Sequence, residues 1–180
     1  VNFDITDCKQ AEITLQSVME AANEAIVVTD PAGNITYWNR AAHHILGYSA
    51  EDVLGKNLHR LMVPDRHLPA HHAAFPAFQR SGQGSAVGKT RKLHARRKDG
   101  QEIAVEVSLA SVRLHDGWHA IGIIRDITER RQSEEKLRLA ASVFTHASEG
   151  IMIAGADGTI LDVNDAFVDI TGYSRDEVLG

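Results

Sequence analysis

The sequence contains little of what marks membrane, disulfide-linked or nucleic-acid-binding chains. It has one cysteine in 180 residues, Cys8, so an internal disulfide and a thiolate-rich metal site are excluded. No apolar run reaches the roughly 18 residues of a membrane-spanning helix, and the chain does not open with a basic segment followed by an apolar block. The formal net charge of -5 disfavours nucleic acid and anionic membranes as main partners. These absences predict a cytoplasmic globular chain without direct membrane contact.

An internal repeat is the most informative feature that is present. Residues 17–55 align without a gap with residues 142–180, at an offset of 125. The matched positions include Gly33 with Gly158, Asn39 with Asn164, and Gly47-Tyr48-Ser49 with Gly172-Tyr173-Ser174. A shorter repeat relates the segment that starts at Asp4 to the segment that starts at Asp126. The order of these repeats predicts a series of tandem domains in which the sequence begins at the end of one domain and stops inside another.

The repeat predicts four segments along the chain. They are the tail and linker helix of a preceding domain at 1–13, a complete domain at 14–127, a linker helix at 128–144 and the truncated start of a following domain at 145–180. A start of that length cannot bury a core by itself. We therefore expect this sequence to have been excised from a longer polypeptide.

The hydrophobic patterns of the complete unit predict an α+β domain. Two short β-prone runs at 24–29 and 34–39 flank a turn cluster at 30–33, which is typical of a hairpin. Helical spacing follows between 40 and 55, and apolar and polar residues alternate strictly from 102 to 109. Two strands, then short helices, then three strands predict an antiparallel sheet with helices on one face.

Apolar stripes mark the two segments that flank the complete domain. They comprise Ala11, Leu15, Val18 and Ala22 in the first segment, and Leu137, Ala141 and Phe144 in the second. Each stripe is narrow, and Glu134 and Arg138 have the spacing of an exposed ion pair. We expect these helices to pair with their copies in a homodimer. The alternative is that each helix packs on its own domain.

Three motifs at this spacing closely resemble the PAS family. They are Ile35–Asn39 with Gly47-Tyr48-Ser49, then Arg97-Lys98-Asp99-Gly100, and then Ile124–Arg130. The resemblance covers nearly the whole chain. It implies a PAS fold, in which a five-stranded antiparallel sheet and its helices enclose a pocket and flanking helices carry the output.

The resemblance also implies a role in signalling. The segment from Leu139 to Gly180 is similar to PAS units of long proteins that end in GGDEF and EAL domains, which make and degrade cyclic di-GMP. Histidine kinases of two-component systems carry similar units. None of those catalytic signatures occurs in this sequence, so we expect a non-enzymatic sensory and relay module. Its partners in the same chain would be adjacent PAS domains and an output domain.

The candidate ligand site combines one helix and one strand. At about 100° per residue, His71 shares a helix face with Leu68, Phe75 and Phe78. One face of the following strand carries Val87, Lys89, Arg91 and Leu93. From His71 through Arg91 to Gly100, the spacing resembles that of oxygen-sensing haem PAS domains of the FixL type.

That resemblance implies that His71 is the axial ligand of haem b iron and that Arg91 stabilises bound oxygen. Two residues depart from the pattern of the FixL type. Lys89 replaces an apolar residue or methionine, and Pro76 lies in the helix that carries His71. Because proline removes a backbone hydrogen bond, we expect Pro76 to kink or restart that helix.

Several alternatives remain open for this unit. His71 can be an ordinary helix residue beside a small or empty pocket, in a module that only dimerises and spaces output domains. A noncovalent flavin such as FAD would be lined by Trp38, Asn39, His59 and Trp118, but the position of Cys8 outside the domain excludes a cysteine adduct. His67 and His71 could share zinc, although the sequence offers no third ligand.

Overall fold

The computed structural model describes the backbone of residues 5–180 and side chains from residue 9 onward. The first four residues of the predicted tail, and the side chain of Cys8, therefore lie outside the described part of the chain. The backbone forms two compact units, one ending at Thr128 and the other running from Glu129 to Gly180. None of the helices in the described range is long and apolar enough to cross a bilayer.

A five-stranded antiparallel sheet forms the first unit, as the sequence predicts. Its strands, in the spatial order β2-β1-β5-β4-β3, are β1 at Ala25–Thr29, β2 at Ile35–Trp38, β3 at Thr90–Arg96, β4 at Glu102–Leu114 and β5 at Gly117–Asp126. β2 and β3 are the edge strands. Five α-helices and one short 3₁₀ helix, at Asp65–His67, accompany the sheet. The α-helices are α1 at Ile5–Ala21, α2 at Arg40–Leu46, α3 at Ala50–Val53, α4 at Leu58–Met62 and α5 at Leu68–Ser81.

Local turn chemistry shapes the first hairpin. The Asp30 carboxylate accepts hydrogen bonds from the backbone amides of Ala32, at 2.9 Å, and Asn34, at 2.8 Å. Gly33 then adopts a φ of 82°, a conformation that is strained for residues with a Cβ atom. The turn is thus specified by the residues within it.

The core lies between one face of the sheet and the helices. Alternate residues of each strand point inward, and the largest fully buried side chains include Val27, Ile35, Leu46, Val53 and Val105. Trp38, which is also buried, donates from its indole nitrogen to the Tyr48 carbonyl at 3.0 Å. This core fixes α2 and α3 against the first hairpin.

Asn39 joins the end of α1 to the sheet and to α2. Its side-chain oxygen accepts from the amides of Ile26, at 2.9 Å, and Ala42, at 3.0 Å. Its side-chain nitrogen donates to the carbonyls of Met19, at 2.9 Å, and Glu24, at 3.0 Å. Because Asn39 is only 1% exposed, all of these bonds are shielded from water.

The second unit repeats the beginning of the first. α6 spans Thr128–His146 and belongs to this unit from Glu129 onward. The unit also contains β6 at Met152–Ala154, β7 at Ile160–Val163, α7 at Asp165–Thr171 and α8 at Arg175–Val178. β6 and β7 pair antiparallel, as β1 and β2 do. The assignment of 145–180 to the start of a further domain stays a prediction.

The flanking helices expose their apolar side chains. In α1 these are Ile13, Leu15 and Val18, and in α6 they are Leu137, Leu139 and Val143. The predicted ion pair of Glu134 with Arg138 is wrong, because Glu134 pairs with Arg130 at 2.8 Å and Arg138 with Glu135 at 2.8 Å. Both observed pairs run along the helix surface and leave the apolar residues uncovered.

Candidate functional site

Helix α5 places His71 on its least exposed face. Leu68, His71 and Phe75 are half-buried and Phe78 is buried, whereas His72 is exposed. The helix continues through Pro76 from Leu68 to Ser81, so the restart that proline predicts does not occur. The helix therefore directs the candidate ligand and its aromatic neighbours to the same side.

His59 of α4 is the nearest ring to His71. The two ring centroids are 5.2 Å apart, and the His59 ring also meets the edge of Phe75 at 5.0 Å. Phe75 in turn stacks with Phe78 at 6.2 Å. Two imidazoles and two phenyl rings thus form one continuous cluster between α4 and α5, which we call the His59–Phe78 cluster.

Burial keeps both imidazoles of this cluster neutral at pH 7. Desolvation, assisted by the nearby His71 and His72, lowers the pKa of His59 from 6.5 to about 4. Desolvation also lowers the pKa of His71, with smaller contributions from His67 and His72. Neutral imidazole is the form that binds metals. Hydrogen bonds engage neither ring among residues 5–180, and the Nδ1 atom of His59 is buried without a partner.

The strand that carries the other part of the predicted site, β3, begins later than the sequence predicts. β3 begins at Thr90, so Val87 and Lys89 precede the strand and lie in a turn that Gly88 makes with a φ of 72°. The prediction that these two residues belong to the strand is wrong, because Gly88 interrupts it. Val87 still forms a bridge to Leu109 of β4.

Arg91 and Leu93 occupy inner-face positions of the sheet. Arg91 lies opposite Val107 and Leu93 opposite Val105, and both valines face the core. The side chains of Arg91, Leu93 and Lys89 are nevertheless exposed. Arg91 donates to the carbonyl of Ser85 at 2.9 Å. The structure thus places His71, Phe75 and Phe78 on one face of α5, while Arg91 and Leu93 lie on the exposed edge strand and Lys89 lies in the turn before it.

Ion pairs with the sheet hold the 3₁₀ helix that leads into α5. Arg66 makes a two-pronged contact with Glu102 of β4, at 2.7 and 2.6 Å. Arg96 of β3 pairs with Asp65 at 2.9 Å and also donates to the carbonyl of Arg60 at 2.9 Å. Such paired geometry orients the groups that it joins.

The end of α5 packs directly on β5. Gly82 ends the helix with a φ of 66°, and a Cβ atom placed there would lie 2.3 Å from the ring of Trp118. Arg113 covers the Trp118 ring, at 5.8 Å from its centroid. Only glycine fits this contact. α5 is therefore fixed at both ends, and the His59–Phe78 cluster lies between its two attachments.

The residues proposed for flavin serve other purposes. Trp38 and Asn39 are buried and hydrogen-bonded within the core, and Trp118 packs on Gly82. His59 belongs to the His59–Phe78 cluster. Its partnership with His71 was not predicted, because the two residues lie on different helices and no sequence period connects them.

Metal clusters of three or more His, Cys, Asp or Glu side chains are absent from the described part of the chain. The ring contact that His71 makes is with His59, and a zinc ion shared by His67 and His71 stays a prediction.

Comparison with known proteins places the chain among sensors. The family model described as the PAS fold matches residues 14–127, and a second model, described as a PAS domain, matches residues 137–180. The chain is 24% identical to the oxygen sensor protein DosP of Escherichia coli over 86% of this chain and 19% of that protein. It is 24% identical to the sensor protein FixL of Bradyrhizobium diazoefficiens over 96% of this chain and 36% of that protein.

A further relative acts on a nucleotide messenger. The cyclic di-GMP phosphodiesterase PdeR of Escherichia coli is 30% identical over 71% of this chain and 19% of that protein. The chain thus spans about a third or less of each of these relatives. Among solved structures, the PAS domain of a protein from Colwellia psychrerythraea is 26% identical, with a TM-score of 0.55, over 66% of this chain and 98% of that chain.

The family match over residues 14–127 and the order of the five strands both indicate the PAS fold. The chain belongs to the PAS family of sensory, non-catalytic domains.

Proposed function

We propose that the first unit is a cytoplasmic oxygen or redox sensor that binds haem b through His71 and relays the bound state to α6. The observation that carries this proposal is the state of His71. Its imidazole is half-buried beside the His59 ring, burial lowers its pKa, and no hydrogen bond engages it within the described residues. An axial ligand needs such a neutral and available nitrogen.

The residues on the helix side fit a haem. His71 supplies the iron ligand, while Phe75 and Phe78 supply apolar surface. Arg91 lies at the inner-face position opposite Val107, and its exposed side chain, which donates to the Ser85 carbonyl, retains further donors for an anionic or oxygen ligand. When bound, haem would supply an iron to which oxygen binds. The similarity to an oxygen sensor protein and to FixL supports this choice of cofactor.

The relay follows from the fixed ends of α5. A displacement of α5 moves the Gly82–Trp118 contact, and Trp118 lies at the start of β5. β5 ends at Asp126, whose carboxylate accepts from the amide of Thr128 at 2.8 Å, at the beginning of α6. The state of the ligand site thereby biases α6 between two arrangements.

Homodimerisation through the flanking helices is part of the same proposal. α6 exposes Leu137 and Val143, which are 71% and 68% exposed. A second copy would cover these side chains and bring two output domains together. The similarity to PdeR supports cyclic di-GMP turnover as the output, and sensor kinases are the second class of output domain.

The haem proposal is tested by reconstitution of the purified chain. We expect a Soret band that disappears in His71→Ala and persists in His72→Ala, a matched change at the exposed neighbouring position. Absence of the band from the wild-type chain, or its persistence in His71→Ala, contradicts the haem proposal. A wild-type chain that stays colourless and dimeric favours the module that only dimerises and spaces output domains.

The relay is tested separately by disulfide crosslinking. Single cysteines at Leu137, Ala141 and Phe144, in a Cys8→Ser background, should crosslink between copies to different extents with and without haem. Equal crosslinking in both states contradicts the relay, whatever the spectrum shows.

A further inference from the structure

The imidazole of His59 is a buried polar group without an assigned role. Its Nδ1 atom is shielded from solvent and has no hydrogen-bond partner among residues 5–180. Such an unpaired buried atom is destabilising and is rare in folded proteins. An ion or another ligand that binds this nitrogen would account for its retention in the interior.

His71 places a second imidazole ring next to His59. The ring centroids of His59 and His71 are 5.2 Å apart, with an interplanar angle of 50°. Two imidazoles that bind one tetrahedral ion at about 2.0–2.1 Å per nitrogen have centroids about 5 Å apart. The two rings therefore already have the separation that a shared ion requires.

A second histidine pair in the same unit shows what a non-binding pair looks like. The rings of His43 and His44 are 5.5 Å apart. His43, however, uses its Nδ1 atom with the Tyr48 carbonyl at 2.9 Å. His44 receives a hydrogen bond at Nε2 from Arg40 at 3.4 Å. Both of these imidazoles have hydrogen-bond partners and are exposed. His59 and His71 make no hydrogen bond among the described residues, and the His59 ring lies against Phe75.

We propose that His59 and His71 together bind one divalent transition-metal ion in the haem-free chain. Imidazole pairs select ions such as Zn²⁺, Co²⁺, Ni²⁺ and Cu²⁺ over Mg²⁺ and Ca²⁺, which prefer oxygen ligands. Because no third protein ligand is arranged around this position in the described residues, water or a small exogenous ligand completes the coordination. The site is independent of the haem proposal and shares only His71 with it, so one molecule holds either the ion or haem.

The test is a titration of the haem-free chain with Co²⁺ at neutral pH. We expect visible d–d absorption of tetrahedral Co²⁺ that Zn²⁺ abolishes by displacement. His59→Ala and His71→Ala should each weaken Co²⁺ binding by at least about tenfold, since each removes one of two protein ligands. His59→Phe, which preserves the apolar packing on Phe75, should behave as His59→Ala does and guards against a folding defect.

The matched control is the double variant His43→Ala and His44→Ala, which should bind Co²⁺ as the wild type does. Co²⁺ binding that survives in His59→Phe, or that is lost in the control variant, overturns the proposal. So does the absence of any tetrahedral Co²⁺ spectrum from the wild-type chain.

Haem reconstitution of the same variants separates the two proposals. His59→Phe should lose Co²⁺ binding and keep the Soret band, whereas His71→Ala should lose both. A chain that binds Co²⁺ through both histidines but never binds haem supports the metal site and contradicts the haem proposal.

Discussion

The two units of the chain begin with the same architecture but attach it differently to the helix before it. Asn164 repeats the role of Asn39, since its oxygen accepts from the amides of Ile151, at 2.8 Å, and Phe167, at 3.0 Å. Its nitrogen donates to the Glu149 carbonyl at 2.9 Å. The bond from Asn39 to Met19, in the preceding helix, has no counterpart at Asn164 among the described contacts.

Glu20 adds a second attachment in the first unit. Its carboxylate accepts from the Tyr37 hydroxyl at 2.9 Å and from the amide of Arg40 at 3.0 Å. The position 125 residues later is Thr145, which is too short to reach both groups. The comparison teaches that turns and caps form wherever their residues recur, whereas the bonds to the incoming helix, through Asn39 and Glu20, are described for the first unit alone.

The largest expected effect comes from the two asparagines. Asn39→Ala removes four hydrogen bonds at a buried position, so we expect the first unit to lose about 3 kcal/mol or more of its free energy of unfolding. Asn164→Ala removes three and should cost less. Hydrogen exchange measured by mass spectrometry separates the two units. Equal losses in both would contradict the difference between the two junctions.

The next effect tests a contact that only the first unit has. Gly82→Ala forces a Cβ atom against the Trp118 ring and a residue other than glycine into positive φ, so we expect a loss of about 2–3 kcal/mol. Gly88→Ala is the matched control, since its φ is also positive but a Cβ there meets nothing within 4 Å. We expect it to lose about 1 kcal/mol. Urea denaturation measures both, and equal losses would show that Trp118 can move aside.

A smaller effect is expected at Glu20. Glu20→Gln should weaken the bonds to Tyr37 and to the Arg40 amide, with a loss of about 1 kcal/mol. Burial, with help from Glu20, raises the pKa of Tyr37 from 10.0 to about 12. In Glu20→Gln the pKa of Tyr37 should therefore fall toward 10.0, which ultraviolet titration of the tyrosinate records. Glu12→Gln, at an exposed position of α1, is the control and should leave the titration unchanged.

The last expected effect is a dependence of the first unit's stability on pH. The folded state lowers the pKa of His59 from 6.5 to about 4, so between these values the unfolded chain binds more protons. Stability of the first unit should therefore fall as the pH decreases from about 6.5 to about 4. His59→Phe should flatten this dependence, as measured by urea midpoints across the range.

The fold was predictable because its signals are local. Asp30 and Gly33 specify the first turn from within, and alternation between 102 and 109 identifies β4. The start of β3 was misplaced, because alternation continues through Val87 and Lys89 although Gly88 turns the backbone there. The division of the chain into four segments and the pairing of copies stay predictions.

The candidate site was predictable only on one helix. The spacing of His71, Phe75 and Phe78 places them on one face, and the structure shows that face to be the least exposed. The contact with His59 is tertiary and depends on how α4 packs on α5, which no periodicity encodes. The roles of His71 and Arg91 toward a ligand stay predictions.

The edge strand β3 also limits how two copies can associate. Its sequence from Thr90 to Arg96 carries Arg91, Lys92 and Arg96 and no carboxylate, and most of its side chains are exposed. Two such strands placed side by side would repel each other before their backbones could pair. An intermolecular sheet that continues through β3 is therefore disfavoured, and self-association is steered toward surfaces that carry fewer cations.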